Sequence, residues 1–137
     1  MPLHLTKVAF GVTTVDQLAA RWRARAEAGE AFLSTRFLPK RHEEVAGPVG
    51  QGGSLYWIVK HRLVARSPIL RFGEAEGGRV AIHLDPAVIL VHARPKRAHQ
   101  GWRYLKGDPP RDLAEGEDIG DALPGKLAGK LERLGLI

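Results

Sequence analysis

Apolar and polar positions alternate at the start of the chain. Val8, Phe10 and Val12 alternate with Lys7, Ala9 and Gly11, and Leu3 and Leu5 extend the run, which predicts a strand. The period then changes. Val15, Leu18, Ala19, Trp22 and Ala26 recur at helical spacing and form one apolar face, with Arg21, Arg23 and Arg25 directed elsewhere. Thr14 is the expected N-cap, Gln17 stands three residues on as in a capping box, and Gly29 is the expected stop. Residues 36–54 contain FLPKRHEE and then GPVGQGGS. Pro39, Pro48 and four glycines predict a long irregular stretch, a length usually tied to function or flexibility.

Three β-rich runs follow: SLYWIVKHRLVARSPILRF, GGRVAIHLD and AVILVHAR. Their β-branched and aromatic residues, punctuated by Gly, Pro and Asp, predict three to five strands. Gly77 and Gly78 predict a hairpin turn between the strand holding Phe72 and the strand beginning near Val80. Pro68 either breaks the first run or marks an edge. In LPGKLAGKLERLGLI, Leu123, Leu127, Leu131 and Leu134 lie on one stripe and predict a short C-terminal helix over about 123–134. The order β–α–β–β–β–β–α, with short and mostly antiparallel strands, places the chain in the α+β class.

At 137 residues the expectation is a single domain able to hold its own core. The absence of cysteine excludes disulfides, thiolate catalysis and Cys-ligated metals. No stretch has the ~20 apolar residues of a membrane-spanning helix, and MPLHLTKVAFGV lacks a signal-peptide pattern, so the expected location is cytoplasmic. Charge is unevenly placed. Residues 1–107 hold 17 basic and 8 acidic side chains, a balance of +9. Residues 108–121 balance at −5 and residues 122–137 at +2. A basic body is thus followed by an acidic segment and a basic tail.

The segment RPKRAHQGWRYLK concentrates candidate chemistry. Arg94, Lys96, Arg97, Arg103 and Lys106 stand without an acid, and Trp102 and Tyr104 share a face of an extended chain while Arg103 faces the other way. Cations neutralise phosphates, and aromatic faces stack unpaired bases. The competing reading makes Trp102 and Tyr104 core plugs and the cations a solvated rim. In GGSLYWIVK, the glycines allow a close approach of a ligand or simply precede a core strand. Tyr56 and Trp57 point to opposite faces there, so one faces the core and the other a second layer, the surface or a pocket. His83 and His92 lie on neighbouring strand runs, but two histidines without a carboxylate motif are a weak metal signal, and no metal or cofactor is expected. There is no GxSxG, Walker loop or GxGxxG.

The sequence resembles a small alphaproteobacterial family known as domain of unknown function 1489. The likeness runs through LHLTK, FLPKR with Pro39, Lys40 and Arg41, and GGSLYWIVK with Gly52, Gly53, Tyr56, Trp57 and Lys60. It continues through LDP at Leu84–Pro86 and QGWRYLK with Gln100, Gly101, Trp102, Arg103 and Tyr104. His99 departs from the aromatic expected before QGWRYL. The resemblance implies no activity. The order of elements is also similar to the PUA-like pseudobarrels, including EVE and ASCH domains, many of which bind RNA or modified bases; that likeness implies a PUA-like pseudobarrel.

These readings converge on a non-catalytic nucleic-acid-binding module, RNA or a modified base favoured. Lys40, Arg41, Arg94, Lys96, Arg97 and Arg103 are the expected phosphate contacts, and Lys60 belongs to the expected interface without an assigned role. Tyr56, Trp57, Trp102 and Tyr104 are the expected stacking residues, and Gln100 is the expected reader of a base edge. One alternative is a protein-interaction or homodimerisation module, in which the acidic segment 108–121 docks on a protein partner or folds over 94–106. Another is a small nucleotide-processing enzyme using Lys60 and Glu43.

Overall fold

The computed structural model describes residues 3–46 and 52–113. The expected C-terminal helix and most of the acidic segment lie outside the described residues. The elements are β1 (Leu5–Val8), α1 (Val15–Glu27), β2 (Phe32–Thr35), α2 (His42–Ala46), β3 (Ser54–Val59), β4 (Arg62–Glu74), β5 (Val80–Leu84), β6 (Ile89–Pro95) and β7 (Trp102–Tyr104), with a 3₁₀ turn at Glu76–Gly78. Seven strands form one mixed sheet in the order β2–β5–β4–β3–β1–β7, with β6 on the first half of β4. The class is α+β, and the sheet curls into a half-barrel.

The first expected strand is shorter than its pattern. It stops at Val8, and Gly11, at φ +79°, lies in the turn that follows. Phe10 is left 60% exposed there, while Val12 goes into the core. The helix forms as its punctuation predicts. Thr14 Oγ1 accepts the Gln17 N–H at 3.1 Å, and Gln17 Oε1 accepts the Thr13 N–H at 2.7 Å, one residue before the usual capping-box partner. Val15, Leu18 and Trp22 are buried.

β3 is buried along its whole length, on both faces. Leu55, Trp57 and Val59 join the main core with Leu5, Leu18 and Trp22, and the Trp22 and Trp57 ring centroids lie 5.6 Å apart. Trp57 Nε1 donates to the buried Ser67 Oγ at 2.8 Å, so its polar edge is satisfied. Tyr56 and Ile58 face the other way, into a smaller core with Leu63, Val91 and Leu105. Of the places open to the second aromatic, the fold uses a second layer.

That layer is closed by the segment after β7. Leu105 is buried and its N–H bonds His4 O at 2.9 Å. His92 N bonds Arg111 O and Leu113 N bonds Leu90 O, so residues 111–113 cover the free edge of β6.

β4 makes the curl possible. Its first half pairs with β3 and β6, and its second half pairs with β5. Register shifts fall between Leu63 and Ala65 and between Ile69 and Arg71, and such bulges bend a strand. Pro68 sits inside this bend without ending the strand. The β3–β4 hairpin, hidden in the sequence by the lack of an Asn-Gly signal, turns on Lys60 and His61 at φ +50° and +64°. The Gly77–Gly78 turn forms where expected. β2 and α2 were not legible. His83 pairs with Arg71 and Phe32, not with His92, because β5 and β6 run in series along β4 and not side by side.

β1 and β3 are parallel and start against α2, where Leu3 N bonds Glu44 O and Gly53 N bonds Val45 O. The close approach at GGSLYW is therefore by backbone. A Cβ on Gly53 would lie 2.3 Å from Val45 O and 2.6 Å from Leu3 O. Gly53→Ala is expected to destabilise the fold by about 3 kcal/mol, at the upper end of overpacking. Gly52→Ala, at φ +96° with nothing in its way, should cost about 1 kcal/mol. Urea unfolding of both variants checks the order; equal losses would remove the close-approach account.

Candidate nucleic-acid interface

The two edge strands of the curled sheet, β2 and β7, meet through side chains. Trp102 Nε1 donates to Thr35 Oγ1 at 3.2 Å, and the Arg41 N–H donates to Tyr104 Oη at 3.1 Å. The loop 36–41 runs along this seam and leaves a groove of about 560 Å³ lined by Thr35–Arg41, Trp102 and Tyr104. That volume lies in the range of small-ligand sites.

Each wall has a physical origin. β7 pairs antiparallel with β1, so Trp102 and Tyr104, two residues apart, fall on the inner face, and their rings stand edge-to-face at 5.0 Å. The polar tips are held by Thr35 and Arg41, which fixes the rings, and both residues stay half-buried. Across the groove, Pro39 is buried and anchors the loop, while Phe37 is 72% exposed and Leu38 43% exposed. The Arg36 guanidinium lies 6.0 Å from the Phe37 ring centroid and that of Arg41 5.8 Å from the Tyr104 ring centroid. Arg41 is also paired bidentately with Glu44 at 2.7 and 2.8 Å, an exposed ion pair of small energetic value. A second hollow of about 410 Å³ shares Leu38 with the groove and is lined by both Arg71 and Glu74, so its charges offset each other.

The structure thus brings Lys40 and Arg41 to Trp102 and Tyr104, from opposite ends of the sequence. Tyr56 and Trp57 lie in the two cores. Lys60 is exposed in the β3–β4 turn, and Lys96 is beside it, its N–H bonding His61 O at 2.9 Å. Arg97 and Gln100 are exposed on the segment leading into β7. Arg103 is exposed on the second face of the sheet, in register with Thr6. Arg94 donates to the backbone oxygen of Asp108 at 2.8 Å. Sequence reasoning did not single out Phe37 and Leu38 as binding residues; the available signal was an apolar pair in a loop rich in Arg, Lys and Pro.

The second face holds a polar cluster that spacing concealed. Arg66 grips both oxygens of Asp112 at 2.7 and 2.8 Å and donates to Ser54 Oγ at 2.8 Å. The Arg66 guanidinium holds the Asp112 carboxyl below its ordinary range. The start of the acidic segment is therefore spent on the protein's own sheet at Arg66 and Arg94. Thr6 Oγ1, fully buried, contacts His99 Nε2 at 2.8 Å and donates to Arg103 O at 3.3 Å, so His99 secures the approach to β7. Among the described residues no group of His, Asp and Glu is arranged to hold a metal ion, and no helix is long and apolar enough to cross a membrane.

These features define the class: a curled mixed-sheet α+β domain whose edges meet at an aromatic and basic groove. The chain belongs to the family described as protein of unknown function (DUF1489), which matches residues 5–137. No curated protein and no solved structure matches it.

His4 carries a pH prediction. Its Nδ1 accepts the Ser54 N–H at 3.0 Å, and its ring lies edge-on to Tyr56 at 5.2 Å. Burial, and then the charge of Arg66, hold its pKa below the ordinary value. The unfolded chain therefore takes up this proton first as pH falls. Stability from neutral His4 is complete above pH ~6.5 and is lost as pH drops from there toward the lowered folded value. Urea midpoints at pH 7.5 and 5.5 should show a fall for the wild type and a smaller fall for His4→Asn, which keeps an acceptor without titrating. His83 and His99, also shifted down, supply a residual slope. An unchanged slope in His4→Asn would remove the assignment.

Proposed function

We propose that the seam groove binds single-stranded nucleic acid without catalysis, with RNA favoured over duplex DNA. The observation that carries this reading is the convergence of Trp102, Tyr104 and the exposed Phe37 with Arg36, Lys40 and Arg41 in one groove. Half-buried rings with satisfied polar tips, beside an exposed Phe37, suit stacking, which is sequence-tolerant and worth ~1–3 kcal/mol per base. Flanking cations suit the phosphates of the same strand. A duplex hides its base faces, so it gains only the charge contribution.

Gln100, exposed just before Gly101 and β7 but outside the groove lining, would on this reading meet a base edge through its amide. Lys60, Lys96, Arg97 and Arg103 lie outside the groove lining and contribute, on this reading, as distant cations only. Arg94 is engaged by Asp108 and Trp57 is fully enclosed, so neither is part of the proposed interface.

Fluorescence anisotropy with labelled single-stranded RNA and duplex DNA tests the reading. Phe37→Ala, at an exposed site that leaves the core intact, and Trp102→Ala are each expected to weaken single-strand binding about 5- to 150-fold, with duplex binding little changed. Lys40→Ala is expected to lower the salt slope for single strands by about 0.7. Equal losses on both probes with the fold intact, or no loss with Phe37→Ala and Trp102→Ala, would count against stacking.

A further inference from the structure

One half-buried cation has no role in the groove as described. Lys7 is the penultimate residue of β1 and pairs in register with Trp57 on β3 and Trp102 on β7. Cross-strand partners point to the same face, so Lys7 stands on the inner face between two tryptophans. That position would suit an apolar residue: Leu5, two residues earlier on the same face, is fully buried.

Lys7 Nζ lies 5.3 Å from the ring centroid of Phe10, itself 60% exposed in the turn after β1. Among the described residues the ammonium has no carboxylate, carbonyl or hydroxyl partner. The residue is half-buried and its ammonium stands against an aromatic face. Burial lowers its pKa from the ordinary lysine value, the signature of a charge whose lost hydration is not repaid. An ammonium in this state gains more from an anion than a fully hydrated surface lysine does.

Trp102 joins this cation to the groove. It lines the groove and is the cross-strand partner of Lys7. Cross-strand partners have Cα atoms about 5 Å apart, so a ligand on Trp102 is a neighbour of Lys7.

We infer that Lys7 is the phosphate-recognising residue of the groove, so that its ligand is a nucleotide held by a phosphate at Lys7 Nζ and by its base on Trp102. The inference rests on the proposed stacking reading and narrows it. It adds to the exposed cations of the groove one partly desolvated contact, through which the groove selects a phosphorylated unit over the nucleoside.

The test uses the full chain with adenosine and adenosine 5′-monophosphate, titrated by calorimetry at low salt. The wild type is expected to bind the monophosphate at least tenfold more tightly than the nucleoside. Lys7→Met, which keeps the apolar stem and removes the charge, is expected to erase that preference while leaving adenosine affinity unchanged. Lys7→Arg should keep part of it.

A second readout does not depend on the variant's fold. The wild-type lysines are ¹³C-dimethylated, and the Lys7 resonance, identified by its absence from Lys7→Arg, should move on addition of the monophosphate and not of adenosine. A preference that persists in Lys7→Met overturns the inference and leaves the groove reading intact. Loss of both ligands to the same degree makes Lys7 structural and overturns it too. If Trp102→Ala changes neither affinity, the stacking reading has failed. If the wild type shows no preference for the monophosphate, the inference fails by itself.

Discussion

The fold depends on a strand that water does not reach from either side. β3 buries all six residues, Ser54 to Val59. A strand buried on both faces needs a layer on each, and this chain supplies two of different size. The inner face of the curled sheet and α1 bury Leu55, Trp57 and Val59. The segment from Leu105 to Leu113 closes over Tyr56 and Ile58. Two polar pairs lie between the layers, Trp57 with Ser67 and Ser54 with Arg66, while Trp22 Nε1 is buried without a hydrogen-bond partner among the described residues.

The sheet that surrounds β3 curls without closing by backbone. β4, bent by its bulges, belongs to both halves, and the curl brings β2 and β7 together. Their edges are joined by the Trp102–Thr35 and Tyr104–Arg41 hydrogen bonds. A ladder would have filled the seam. Side-chain contacts leave a groove with fixed aromatic walls, and the loop 36–41 adds cations and an exposed Phe37. The candidate site is thus a consequence of how the barrel stops short of closure.

Charge follows the same division. The groove cations Arg36, Lys40 and Arg41 are exposed, Arg41 in an ion pair with Glu44, whereas on the second face Arg66 is held by the Asp112 carboxylate and Arg94 by the Asp108 backbone oxygen. The basic residues therefore divide into those bonded across the fold on the second face and those exposed at the groove. Lys7 belongs to neither set: it is half-buried, and among the described residues its ammonium has an aromatic face and no hydrogen-bond partner beside it.

Much of the local structure was legible in the residues. Thr14, Gln17 and Gly29 delimit α1 because capping and left-handed termination are satisfied within a few residues. The same holds for the turn at Gly77–Gly78 and for the shared face of Trp102 and Tyr104, which follows from the period of two in a strand. The α+β class and the family were likewise readable from element order and from GGSLYW and QGWRYL. The partners of β3, the bend at Pro68 and the meeting of residues 36–41 with Trp102 and Tyr104 were decided by tertiary structure. They depend on which distant strands pair and where bulges shift register, and no local propensity encodes either. Gly53 shows the difference in one residue: its sequence context marks a close approach, but only the packed chain shows that the backbone of α2 is what approaches.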